Sequence, residues 1–114
     1  MKYYRTNKQA PVADFREAAI KGQAPDKGLY FPESIPQVDP EMIRNLPDMS
    51  NEEIAFRVIL PYVGATIDED SLYRIVSETV SFPIPLVPVT DHISSLELFH
   101  GPTLAFKDIG ARFM

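Results

Sequence analysis

Eleven prolines among 114 residues limit this chain to short helices and strands joined by stiff connectors. Proline fixes the backbone φ angle and donates no backbone hydrogen bond, so it interrupts both kinds of regular structure. The remaining composition, with 45% hydrophobic and 24% charged residues, is typical of a globular domain. A chain of this length can bury one modest hydrophobic core.

Charge and residue usage exclude several classes of function. The net charge is −5 and lysine and arginine form no run, which argues against nucleic-acid and anionic-membrane surfaces. The chain has no cysteine and only two histidines, His92 and His100, so we expect no disulfide and no metal site. We see no secretory signal and no apolar stretch that could cross a bilayer, and a cytoplasmic location is the default expectation.

Capping residues and proline positions predict four short helices. Asp14 is a candidate N-cap, and Ser50 with Glu53 has the form of a capping box. Pro40 suits the first position of a brief helix, because the N–H that proline lacks is not needed there. The predicted ranges are Asp14–Lys21, Pro40–Asn45, Asn51–Tyr62 and Asp68–Thr79.

The last two of these helices are predicted to pack as an antiparallel hairpin, because only a short link joins them. We expect Pro61 to end or bend the first of the pair. Apolar residues spaced three and four apart predict one buried stripe on each helix. The stripes comprise Ile54, Ala55, Val58 and Ile59 on the first helix, and Leu72, Ile75, Val76 and Thr79 on the second.

Short strands are predicted at Met1–Thr6, Leu29–Phe31 and Leu96–Phe99 from their aromatic and apolar residues. The proline-rich stretch Ser81–Pro88 should be extended, near polyproline II. A helix capped by Thr103 should begin at Leu104. The fold class is therefore a small α/β domain with short strands and a helical hairpin. Because the chain stops inside the last predicted helix, we expect the natural protein to continue past Met114.

Three segments carry a resemblance to a known family. Glu97–Asp108 closely resembles the cofactor-lysine segment of the threonine synthase family, and Gln23–Glu33 resembles the opening signature of that family. Arg5-Thr6 also follows an initial aromatic strand as it does there. The chain departs from the family at Lys27, where glycine is usual, in a surface turn.

The resemblance implies a fold-type-II pyridoxal-phosphate (PLP) enzyme. Such an enzyme is a carbon–oxygen lyase of threonine biosynthesis, which converts O-phosphohomoserine and water into threonine and phosphate. The resemblance also implies a division into an N-terminal domain, residues 1–82, and residues 83–114, which hold the proline-rich crossover and the first strand and helix start of the PLP domain.

Lys107 matches the lysine that binds the cofactor covalently and moves protons at the substrate. Bond formation requires the neutral amine, whereas a free lysine has a pKa of ~10.4. We expect desolvation by Leu104, Phe106 and Ile109 and the positive end of a helix dipole to disfavour the ammonium. By residue type alone, Lys107 would be a solvated lysine on a helix.

Neighbouring residues have simpler interpretations beside their functional ones. Thr103 is either the N-cap, or a hydroxyl that faces cofactor or substrate, or both. Asp108 is interpreted as a first-turn acid favoured by the helix dipole, and His100 as a turn residue rather than a site residue. Gly101 and Pro102 set a turn. Arg5 and Thr6 could reach a substrate phosphate, but a surface arginine on an edge strand is the preferred interpretation.

Part of a PLP site is absent from this sequence. None of the five glycines lies in a glycine-rich run that could cradle a phosphate, and no partner for the pyridine nitrogen is identifiable. The resemblance implies that both come from the remainder of the chain, so we expect weak PLP binding and no catalysis from these residues alone. We also expect self-association through the apolar residues of 96–114.

Two alternatives remain from the sequence. The chain could be a small acidic α/β module that serves only in packing or association, in which case Lys107 has no chemical role. It could also belong to another fold-type-II PLP enzyme, such as a serine or threonine dehydratase, although Glu97–Asp108 matches the threonine synthase pattern better.

Overall fold

The computed structural model describes residues 1–9 and 11–114. Near the N-terminus, strands β1 (Tyr3–Arg5) and β2 (Tyr30–Pro32) form an antiparallel pair in which Tyr4 lies opposite Phe31. Both strands were predicted, with slightly different ends. The fold is a mixed α/β arrangement of short helices and two small antiparallel sheets, which agrees with the predicted fold class.

The first helix, α1 (Phe15–Lys21), begins directly after its predicted cap Asp14 and ends at Lys21 as predicted. The Asp14 carboxylate accepts a hydrogen bond from the Glu17 amide at 2.8 Å, which satisfies one of the free donors of the first turn. Gly22 follows the last turn with a φ of 62°, a left-handed conformation that glycine adopts without a steric penalty.

Helix α2 (Pro40–Asn45) matches its predicted range, with Pro40 in the first turn. Its cap is the Asp39 carboxylate, which accepts from the Glu41 amide at 2.8 Å. A 3-10 turn at Leu46–Asp48 then leads to the helical hairpin.

The hairpin consists of α3 (Asn51–Val63) and α4 (Glu69–Thr79), which pack against each other. Ser50 accepts from the Glu53 amide at 3.1 Å, but the Glu53 carboxylate pairs with Arg57 at 2.6 Å. Only the serine half of the predicted capping box therefore forms.

Helix α3 does not end at Pro61, which lies inside it. Proline at this position removes one hydrogen bond, to the carbonyl of Arg57 one turn earlier. Since Pro61 and Arg57 are both exposed, water can satisfy that carbonyl.

The hydrophobic core lies between the two helices of the hairpin. Val63, Leu72 and Val76 are fully buried, and Thr79 continues the buried face of α4 as predicted. On α3 the predicted stripe is rotated, because Val58 is 43% exposed. The residues that pack around the core are Phe15, Ala55, Phe56, Ile59, Leu60, Ile67 and Phe113.

A second hairpin follows, formed by β3 (Leu86–Thr90) and β4 (Ile93–Leu96). The end of the stretch Ser81–Pro88 is extended as predicted, but Leu86–Pro88 is a paired strand and not polyproline II. The prediction of a strand at Leu96–Phe99 is wrong, because β4 ends at Leu96. Pro88 is tolerated because the register shifts beside it, between Pro88 and Thr90.

The last helix, α5 (Asp108–Phe113), returns to the helical hairpin and packs on α4. The ring of Phe113 meets Phe15 of α1 at a centroid distance of 6.3 Å. The Arg112 Nε donates to the Glu78 carbonyl at 3.1 Å, which joins the new helix to the end of α4. No helix among the described residues is long and apolar enough to cross a membrane.

Candidate functional site

The loop that precedes α5 consists of consecutive turns. The Leu104 amide donates to the Gly101 carbonyl at 3.1 Å, and the Asp108 amide donates to the Ala105 carbonyl at 3.0 Å. Leu104 has a φ of 58°, a left-handed conformation that costs a branched residue about 1 kcal/mol or more. The surroundings of the loop must therefore compensate for this strain.

The Asp108 carboxylate holds the loop from inside. It is 2% exposed and accepts two hydrogen bonds from Thr103, one from the backbone N–H at 2.9 Å and one from the hydroxyl. The hydroxyl bond is the main cause that lowers the pKa of Asp108 below its ordinary value. Asp108 is thus an ionised hydrogen-bond acceptor at neutral pH. The sequence indicated only an acid favoured by the helix dipole and did not indicate this contact with Thr103.

Gly101 is required by the same contact. A Cβ atom at this position would lie 2.5 Å from Oδ2 of Asp108 and 2.7 Å from its Cβ. Real Cβ atoms do not approach other atoms so closely. Any residue other than glycine at position 101 would therefore collide with the buried carboxylate of Asp108. The turn that the sequence assigned to Gly101 and Pro102 therefore has a second role, as the wall behind Asp108.

Lys107 lies immediately before α5, at the cap position, with its side chain exposed. The helix begins at Asp108, so the prediction of a helix from Leu104 is wrong. Leu104 is 75% and Phe106 is 76% exposed. These two side chains do not bury Lys107, contrary to the expected desolvation.

Thr103 lies five residues before α5, so it is not the predicted N-cap. Its hydroxyl donates to Asp108, which gives it a structural partner within the loop. His100 is also held locally, with Nε2 at 2.7 Å from a carboxylate oxygen of Glu97 and its ring beside Phe99. This agrees with a structural role for His100.

Arg5 is 2% exposed, so the prediction of a surface arginine is wrong. Its guanidinium carbon lies 5.2 Å from the centre of the Tyr30 ring, and Nη2 lies 3.7 Å from the Glu17 carboxylate. Arg5 therefore has no open path to a substrate phosphate in this arrangement. No local sequence pattern predicts this burial, because Tyr30 and Glu17 belong to other elements.

The position of Lys107 is compatible with the cofactor lysine that the resemblance implies. Lys107 is exposed and makes no ion pair within 1–9 and 11–114, so its amine is free to bind a carbonyl carbon. The same part of the chain contains no group of three potential metal ligands. Groups for the phosphate and ring of a cofactor are not identifiable beside Lys107.

Comparison with known proteins identifies the family. The sequence model described as threonine synthase N terminus matches residues 2–80. The chain belongs to this family. Across its whole length it is 37% identical to the threonine synthase of Serratia marcescens and 32% identical to that of Escherichia coli.

Solved threonine synthases have the same fold over this region. The crystal structure of the Escherichia coli enzyme matches 99% of this chain with a TM-score of 0.91 and 32% identity. The PLP-bound threonine synthase of Brucella melitensis matches all of it with a TM-score of 0.90 and 42% identity. The chain spans about a quarter of the length of these relatives, 26% in both structures and 27% of the Serratia marcescens protein.

Proposed function

We propose that this chain is the N-terminal part of a PLP-dependent threonine synthase, a lyase that converts O-phosphohomoserine and water into threonine and phosphate. The observation that carries the proposal is the position of Lys107, exposed at the start of α5 on a loop held by Asp108. This placement supports the cofactor role that the resemblance of Glu97–Asp108 assigns to the lysine.

Lys107 would hold the cofactor by a covalent bond from its neutral amine to the aldehyde carbon of PLP, with loss of water. PLP, when bound, supplies an electron sink for carbanion chemistry at the substrate. The amine of Lys107, when released, would carry protons at the Cα of the substrate and beyond. A loop held by hydrogen bonds favours both steps, because reacting atoms must be held close and aligned.

The remaining parts of the site are proposed to come from the rest of the protein. They are the phosphate cradle, the partner of the pyridine nitrogen and the walls that bury Lys107. We propose a domain boundary near residue 82, which fits the exposure of every residue of β3 and β4 beyond it. On this proposal, residues 1–114 alone bind PLP weakly and do not catalyse the reaction.

The test uses the gene carried through to its natural stop codon, expressed and purified with PLP. Phosphate release from O-phosphohomoserine is measured for the wild type, Lys107→Ala and the control Lys2→Ala, which changes an exposed lysine of the N-terminal segment. We expect release by the wild type and by the control, and none above background by Lys107→Ala. Release that survives Lys107→Ala would contradict the proposed role, and release by none of them would favour a packing module.

A further inference from the structure

Asp108 carries a buried charge, and the proposed reaction of Lys107 with the cofactor does not directly involve it. Both of its carboxylate oxygens accept hydrogen bonds from Thr103, through the backbone N–H and the hydroxyl. The residue is 2% exposed, whereas Lys107 next to it is solvent-exposed. A charge is rarely buried unless its hydrogen-bond partners compensate for lost solvation, and here one residue supplies both donors.

The two hydrogen bonds close a small ring of chain from Thr103 to Asp108, and Lys107 is the last residue inside it. The ring contains Leu104 in a left-handed conformation, which is unfavourable for a residue that carries a Cβ atom. Outside the ring, Gly101 fits against the carboxylate so closely that no side chain is possible there. The backbone of Lys107 is therefore fixed on one side by α5 and on the other by the ring.

We propose that Asp108 is a positioning residue: through its paired hydrogen bonds to Thr103, it sets the direction in which Lys107 is presented to the PLP aldehyde. Asp108 does not contact the reacting atoms on this account, and Thr103 acts as its partner. The inference rests on the proposed function, since it assigns a role only if Lys107 binds PLP.

The lowered pKa of Asp108 agrees with this role, because the residue stays ionised and keeps both acceptors near neutral pH. Asparagine has the same shape but offers one oxygen and one NH₂ group. In Asp108→Asn, the side-chain oxygen can still accept from the Thr103 N–H only if the NH₂ group faces the Thr103 hydroxyl, which must then accept instead of donate. Both hydrogen bonds also lose the negative charge that strengthens them. Thr103→Val removes only the hydroxyl bond, and Thr103→Ser keeps both donors while it removes a methyl group.

The experiment measures how fast PLP attaches to the complete protein, prepared without cofactor and then mixed with PLP. Attachment is followed by the absorbance of the lysine–cofactor bond, and the fold of each variant is checked by circular dichroism and melting temperature before mixing. We expect attachment in Asp108→Asn and Thr103→Val to be slower by ~10–100-fold, since a small displacement of a reacting group can have an effect of this order. Thr103→Ser should attach PLP at close to the wild-type rate.

Wild-type rates in Asp108→Asn and Thr103→Val would overturn the inference, as would a Thr103→Ser variant as slow as Thr103→Val. If Asp108→Asn does not fold, the valine and serine variants decide the question. Failure of the proposed function has a different signature: Lys107→Ala would still attach PLP at the wild-type rate. A wild type that takes up no PLP would overturn both.

Discussion

Two charged side chains, Arg5 and Asp108, are almost completely removed from solvent, and their environments differ. Both oxygens of Asp108 are satisfied by Thr103. For Arg5, Nε and Nη1 have no hydrogen-bond partner among the described residues, and the nearest carboxylate oxygen, on Glu17, is 3.7 Å away. The Tyr30 ring beneath the guanidinium supplies a cation–π contact in compensation.

The Asp108 contact predicts a pH dependence of stability. Because hydrogen bonding from Thr103 lowers its pKa in the folded state, the ionised form is favoured by folding. The contribution is therefore complete above the unfolded-state pKa of ~3.9 and is lost as the pH falls through the lower folded-state pKa. Urea unfolding from pH 7 to pH 3 should show a difference between wild type and Asp108→Asn that shrinks below about pH 4.

The comparison with Asp108→Asn isolates this residue from other carboxylates. Asp68, the cap of α4, also has a lowered pKa because it accepts from the Ser71 amide, but it is present in both proteins. A difference between the two proteins that stays constant across the pH range would show that Asp108 does not contribute through its charge.

For single residues, the sequence predicts the contacts that form between positions a few residues apart along the chain. The caps at Asp14 and Ser50 were readable because each bonds an amide three residues later. The burial of Arg5 was not, because it depends on an aromatic ring 25 positions further along. Lys107 was singled out by its resemblance to a family segment, since an exposed lysine has no distinctive local pattern.

Two glycines in and near α5, Gly110 and Gly101, differ in how much space surrounds them. A Cβ at Gly110, inside α5, would meet open space. A Cβ at Gly101 would collide with the Asp108 carboxylate. The substitution of alanine for glycine at each position therefore tests the contact at Gly101, with Gly110 as the control.

We expect Gly110→Ala to raise the free energy of unfolding of this chain by up to ~1 kcal/mol, because alanine favours the helix. Gly101→Ala should lower it by about 1–3 kcal/mol through overpacking. Urea or thermal unfolding of the two variants beside the wild type measures both effects. Equal effects of the same sign would contradict the described contact between Gly101 and Asp108.

The strands were predicted less well than the helices, and prolines explain the difference. Pro88 suggested an extended segment without pairing, yet β3 pairs with β4 because the proline lies beside a register shift. Asp91 and His92 form the turn between the strands. Since β4 ends at Leu96, only the first residue of the predicted strand Leu96–Phe99 is paired.

The molecule as a whole is less compact than its length suggests. Its radius of gyration is 16.4 Å and its longest extent is 49 Å, whereas a compact domain of this length has a radius of gyration of about 13 Å. All residues of β3 and β4 are exposed, including several large apolar ones. The exposed apolar residues of this hairpin are Leu86, Val87, Val89, Ile93 and Leu96.

Such a surface favours association when nothing covers it. We predict concentration-dependent self-association of residues 1–114 in sedimentation velocity. It should be reduced by the double substitution Leu86→Lys, Leu96→Glu, which places opposite charges on paired positions and so preserves the hairpin. The control Ile20→Lys changes an exposed apolar residue of α1 and should not reduce it.

A wild type that remains monomeric at all concentrations would contradict this prediction, as would a double variant that associates as strongly as the wild type. From the sequence, association was expected through residues 96–114. The structure exposes Phe99, Leu104 and Phe106 in that segment, packs Phe113 against the core and adds the apolar residues of the hairpin. The exposure of each residue depends on how the hairpin is oriented relative to the helical core, and this orientation is determined by tertiary packing.

The most direct test of the account locates the cofactor on the chain. The complete protein is loaded with PLP, treated with borohydride to make the lysine–cofactor bond permanent, digested with trypsin and analysed by mass spectrometry. Because modified lysine resists trypsin, we predict a PLP-bearing peptide that spans Ile75–Arg112, with the modification at Lys107. PLP on any other lysine, with an unmodified peptide ending at Lys107, would contradict the central claim.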